Sequence, residues 1–190
     1  MSSTQIQLTS NQLDACARDF HHSMEEVRNL LTYANEQAVS MRPSPSNWSA
    51  LECVAHLNRA TEAMLPGIRQ AVEAAPPCSG ATRTLKMDLP GRLLAWSLEP
   101  PALIKLKAPK LAEPLEAAGP EPVLQEFDQQ HNELIQLLHA SAGKSIDQQK
   151  MKSPFANMHY SAYSAFRIIA AHDRRHLWQA RKALERKGSN

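Results

Sequence analysis

Cysteine is scarce in this chain. There are three in 190 residues, Cys16, Cys53 and Cys78, and no C-x-x-C pair. An odd, widely spaced set argues against a disulfide framework and suits a reducing compartment. Long apolar runs are missing too. No stretch approaches the roughly 18 apolar residues that a membrane span needs. The opening MSSTQIQLTS lacks the basic and apolar regions of a secretory signal. These absences together predict a cytoplasmic protein with no membrane partner. Charge of one sign is also lacking: the formal net charge is +2, too small to demand a polyanionic partner.

What is present is ordinary for a globular chain, with 43% hydrophobic and 21% charged residues. The length suits a single domain over residues 1–190, built around one core. Four segments carry helical periodicity. Leu13, Ala17, Phe20, Met24, Val27 and Leu31 recur at intervals of three and four after LTSNQ, until the prolines of SMRPSPSNW intervene. In WSALECVAHLNRATEAML, Ser49 and Glu52 form a capping-box pair, and Trp48 with Cys53 suggests a hydrophobic staple. Leu57, Ala60, Met64 and Ile68 continue that stripe past Pro66, which is expected to kink the helix without ending it. A third helix is expected from about Pro122 through Phe127, Leu134 and Leu138 to Gly143. A fourth is expected from about Ser161 through Phe166, Ile169, Leu177 and Leu184.

Between the second and third helices, Pro76 to Glu121 holds eight of the 13 prolines. LPGRLLAWSL reads as a short helix. ALIKLKAPKLAEPL reads as extended, with Leu103, Lys105 and Lys107 alternating weakly. The span is too long for a simple bundle loop, so a crossover packing over the bundle and a pocket is expected. Strand signals are too thin to predict a sheet. The pattern predicts an all-α four-helix bundle with one long irregular connection.

The chemistry-bearing feature is AAHDRRHLWQARKAL. His172 and His176, four apart, share one helix face, the spacing at which two imidazoles grip one metal ion. The text HDRRH has Asp where H-E-x-x-H carries its general base, so a metalloprotease is a poor fit. Ala165, Ile169 and Ala183 mark the histidine side as inward, and inward imidazoles need partners. His56, with Ala60, Ala63 and Gly67 leaving room beside it, is the best third ligand; Cys53, one turn earlier, is the alternative. Gln179 and Glu52 are candidates to support the ligands by hydrogen bonds, although capping already explains Glu52. Three neutral histidines would make an open site for a divalent transition metal. His21, His22, His131, His139 and His159 are expected at the surface or between helices.

The motifs NWSALECVAHLNRA and HDRRHLWQ, about 115 residues apart, resemble the W-S-x-x-E-x-x-x-H-L and H-x-x-x-H-x-x-Q segments of the DinB/YfiT-like superfamily. That resemblance implies a four-helix bundle in up-down-down-up order and a metal site of His56, His172 and His176. It implies zinc or nickel as the ion, and a homodimer. It also implies thiol-dependent S-transfer or isomerisation of low-molecular-weight thiol conjugates, or hydrolysis of a small molecule. The long Pro76–Glu121 segment departs from short members of the family and bears on the shape of the pocket.

The last thirty residues, Ser161 to Asn190, carry seven Lys/Arg against two Asp/Glu. Arg167, Arg174 and Arg181 fall opposite the histidine side, with Trp178 near them and Arg175 flanking the pocket side. A solvated face is expected there, with a dimer contact through Trp178 as an alternative. A nucleic-acid surface is the weaker reading, since no second basic patch matches it. Two other function classes stand beside a metal-dependent enzyme: a non-catalytic metal or small-ligand binding module, and that nucleic-acid binder.

Overall fold

A computed structural model describes residues 3–78, 84–101, 108–114 and 119–185, with side chains from residue 11 onward. Four long helices dominate: α1 (Ser3–Thr32), α3 (Ala50–Ala74), α5 (Pro120–Ala140) and α6 (Ala162–Glu185). Two short ones, α2 (Glu36–Ser40) and α4 (Leu89–Leu98), and a 3₁₀ turn at Lys110–Ala112 lie between them. The fold is mostly helical, as the periodicity predicts. α1 packs on α5 and α6, and α3 packs on the same two helices; α4 leans on α6. The apolar stripes meet inside, where Phe20, Phe127, Phe166, Leu57 and Ile68 are all fully buried.

Local sequence explains the ends of the helices. Ser49 Oγ accepts from Glu52 N at 3.1 Å, and Ser49 N donates to Glu52 Oε2 at 2.9 Å, completing the capping box of α3. α3 runs through Pro66 to Ala74. α5 starts with Pro120 after Gly119, whose φ of +112° is the left-handed region glycine tolerates. α1 begins at Ser3, ahead of the LTSNQ segment, because no proline or glycine interrupts the residues before it. LPGRLLAWSL forms α4 as expected. The alternating Leu103, Lys105 and Lys107 lie outside the described residues, and Lys110–Ala112 is a 3₁₀ turn where extended chain was expected.

One element was not expected. β1 (Lys150–Lys152) and β2 (His159–Ser161) pair antiparallel, with Met151 opposite Tyr160. Three-residue strands give too few alternations for a period-two signal, and their register is held by tertiary contacts. Asp88 organises this corner. Its Oδ1 accepts from Gly91 N, capping α4, and from Ser164 Oγ at 2.7 Å; its Oδ2 accepts from Ser161 N at 2.9 Å and pairs with Lys150. Gly91 packs so close that a Cβ there would collide with the Ser164 side chain. Alanine is the better helix former by about 1 kcal/mol, yet Gly91→Ala is expected to destabilise the protein by roughly 1–3 kcal/mol through overpacking. Urea unfolding checks this; a gain in stability would contradict the contact.

Candidate metal centre

His56 projects from α3, and His172 and His176 project from successive turns of α6. Their ligand nitrogens all lie within 4.8 Å of one another. Ring centroids are 4.9 Å apart for His56–His172, 4.4 Å for His56–His176 and 4.6 Å for His172–His176. The structure therefore brings His172 and His176, which the spacing singles out, together with His56, chosen for its register on the second helix, across the α3–α6 contact. Cys53 is buried in the core and stands apart from this cluster; burial pushes its thiol pKa up, so it stays protonated.

The orienting contact for His56 comes from the long connection. His56 Nδ1 donates to the Ala112 carbonyl in the 3₁₀ turn at 2.5 Å. That bond fixes the tautomer and leaves the Nε2 lone pair aimed into the cluster, 3.1 Å from His172 Nε2. Trp48 lays its indole over His56 and His176, at centroid distances of 4.8 and 5.9 Å. Its place in the sequence suggests a staple; its position makes it one wall of the site. Gln179 lies against His176. Glu52 uses its carboxylate elsewhere, on Ser49 N and in a forked pair with Arg42.

All three rings are held neutral. Burial comes first, followed by repulsion between the His56 and His172 rings when both take up protons, and by the charge of Arg175; together they push His172 down to about 3. Burial, with His172, His56 and Arg175 adding to it, drives His176 well below its ordinary value. Burial lowers His56, opposed by its bond to Ala112. Neutral imidazole is the form that ligates a metal. His176 Nδ1 is buried without a hydrogen-bond partner, a cost that ligation through that nitrogen or a shift of the ring would remove. An all-nitrogen set of neutral donors fits a divalent transition ion.

The depressed values set a pH dependence. The unfolded chain takes up protons near the ordinary pKa of 6.5, while the folded rings resist until much lower pH. Metal-free protein is thus expected to lose stability as pH falls from 7 to 5, by up to about 1.4 kcal/mol per pH unit for each histidine. Urea midpoints in chelator at the two pH values measure it; equal midpoints would contradict the neutral rings.

The triad opens onto a cleft of about 1370 Å³. Pro109 and Ala112 from the connection, Phe155 and Met158 from the hairpin loop, and Arg175 and Trp178 from α6 all line it. Trp178 therefore faces the cleft and not the outer side of α6, correcting the expectation from the helical wheel. The expected solvated arginine face holds in part: Arg181 is exposed and Arg167 and Arg174 are half-buried, but all three are ion-paired. Arg167 pairs with Asp19 at 2.9 Å, Arg174 with Glu99 at 2.9 Å, and Arg181 with Glu26. These acids lie on α1 and just beyond α4, a register between helices that one helix's sequence cannot reveal.

Behind the triad sits a polar pair that spacing also missed. His131 and Asp173 are fully buried, with Nε2 and Oδ2 2.9 Å apart, while His131 Nδ1 donates to the Phe127 carbonyl at 3.0 Å. Their separation of 42 residues leaves no local signal. His21, His22, His139 and His159 are exposed, as expected.

The family model of the DinB superfamily matches residues 12–180. No curated protein and no solved structure matches the chain.

Proposed function

This chain belongs to the DinB superfamily, and on that footing we propose that it is a metal-dependent enzyme acting on a small molecule, by thiol-dependent S-transfer or hydrolysis. The observation that carries the reading is the convergence of His56, His172 and His176 at the wall of a cleft. In this reading the three histidines hold zinc or nickel and leave coordination positions open. A bound divalent ion supplies Lewis acidity, which lowers the pKa of a water or thiol reaching it. The chain's own residues do the rest. The Ala112 carbonyl orients His56, Trp48 shields the rings from water, and the cleft selects the substrate. At about 1370 Å³ the cleft exceeds the usual 300–1000 Å³ of a single-ligand site, which supports transfer between two substrates.

The finer architecture belongs to the same proposal: the four long helices form a bundle in up-down-down-up order, and the protein is a cytoplasmic homodimer. Among the described residues, no helix is long and apolar enough to cross a membrane. Leu89, Leu93 and Trp96 are exposed along α4, in keeping with a partner subunit; sedimentation measures the oligomer. The nucleic-acid reading loses support, because the arginines it would use are paired within the chain. Titrating chelator-treated protein with zinc or nickel tests the metal, with about one ion per chain expected. Loaded protein is then expected to turn over thiol conjugates, or esters and amides, in a substrate panel. No stoichiometric metal, with the protein folded, would overturn the proposal; metal without turnover would reduce it to a binding module.

A further inference from the structure

The hairpin of β1 and β2 delivers its loop to the cleft. Ser153 N donates to the Met158 carbonyl at 2.9 Å, Met158 N to the Ala156 carbonyl at 2.8 Å, and Phe155 N to Ser153 Oγ at 3.2 Å. The loop thus closes on itself and holds Phe155 and Met158 in place. Both pack partly on the core, both stay half-buried, and both line the cleft. Trp48 and Trp178 bring two more half-buried apolar faces to the same space. Large apolar side chains kept in contact with water carry a cost that a bound apolar body removes. The charged lining is answered within the chain. Among the described residues its non-histidine charges are Arg42, Arg175, Lys182, Glu113 and Glu185. Arg42 pairs with Glu52, and Lys182 with Glu185. Arg175 is engaged, its Nη1 donating to the Ser97 carbonyl at 3.2 Å. Glu113 is exposed, so solvent screens its charge.

We propose that this hairpin loop is the specificity element of the cleft, and that Phe155 and Met158 take a neutral, apolar ring system of the substrate, in the part that lies away from the triad. A flat ring offers Phe155 a partner for stacking or edge contact. The unbranched Met158 side chain adapts its shape to such a body. A charge carried on that part of the substrate would lose its hydration and meet side chains already committed to one another, which disfavours both signs. The role also accounts for the hairpin itself, which Asp88 holds against α6 and which the helical bundle does not need for its core. The inference rests on reading this cleft as the substrate site, but not on the metal.

The test uses full-length, chelator-treated protein, so that no probe gains affinity by ligating an ion. Three probes share one ring system and differ in charge: 2-naphthalenemethanol, 2-naphthoate and 2-naphthylmethylammonium. In calorimetric titration, wild type is expected to bind the neutral alcohol at least about fivefold more tightly than either ion. Phe155→Ala is expected to weaken the alcohol by about fivefold or more, through loss of apolar contact, with circular dichroism showing whether the variant is folded. Three results would overturn the proposal: no binding of the alcohol at millimolar concentration, an ion bound as tightly as the alcohol or more so, or undiminished affinity in folded Phe155→Ala. Should that variant not fold, undiminished affinity in Met158→Ala would overturn it instead. Because no metal is present in any titration, failure here leaves the metal reading standing, and failure of metal binding leaves this one.

Discussion

Asp173→Ala lowers the stability of the metal-free protein by roughly 3–5 kcal/mol in urea unfolding, the range for removing one partner of a buried ion pair. The expectation follows from how completely the pair is enclosed. His131 and Asp173 are both fully buried, Phe127 stacks on the imidazole at 3.7 Å, and Phe20 meets it edge-on at 5.6 Å. With Nδ1–H committed to the Phe127 carbonyl, the Nε2···Oδ2 contact holds one proton, whichever atom bears it. Alanine leaves that ring nitrogen facing a cavity with nothing to bond. Asp173→Asn keeps the shape and offers an N–H to the neutral ring, so it should cost less than half as much. A loss for Asp173→Ala below about 1 kcal/mol would show that the pair is dispensable.

The pair also bears on the metal site. His172, Asp173 and His176 occupy neighbouring positions of one helix but face two directions. His172 and His176 meet α3, while Asp173 meets α5. Clamping α6 from the α5 side fixes its rotation, and at 100° per residue even a modest turn would move both histidines away from His56. The polar lock and the triad thus depend on the same helix phase.

The features legible in the sequence are those with short-range causes. The stripes of α1, α3, α5 and α6 follow the helical period, the capping box follows from Ser49 and Glu52, and the His172/His176 spacing places both rings on one side. His56 was legible at longer range only because small residues flank its register. What the sequence hides has no residue-type signature. A backbone carbonyl, such as that of Ala112, carries no letter of its own. Trp48 has the same local pattern whether it staples a helix or covers an imidazole. The pairing of Arg167 with Asp19 and of His131 with Asp173 depends on how helices far apart in the chain are set against each other. The hairpin at Lys150–Lys152 and His159–Ser161 is held by Asp88, some sixty residues earlier, and not by its own propensity.

His172→Ala is expected to reduce zinc or nickel affinity by at least a hundredfold, taking it from about one ion per chain to none at micromolar metal. His172 is one of three donors, and its Nε2 is the atom facing His56 Nε2 at 3.1 Å. Two donors on separate helices cannot close the same coordination sphere. Linkage gives a second readout. A ligand that binds only the folded state stabilises it by RT ln(1 + [L]/Kd), about 2.7 kcal/mol at a hundredfold excess over Kd. Saturating metal should therefore raise the melting temperature of wild type and leave His172→Ala unmoved. The variant should be no less stable than wild type without metal at pH 5, because it sheds a ring that is costly to keep neutral there. A substitution that merely damaged the fold would instead lower stability at every pH. His56→Ala should lose metal in the same way, whereas Ala112, which contributes only its carbonyl, should tolerate a change to serine with metal retained. A metal-induced rise in melting temperature that persists in His172→Ala would place the ion elsewhere and dismantle the proposed centre.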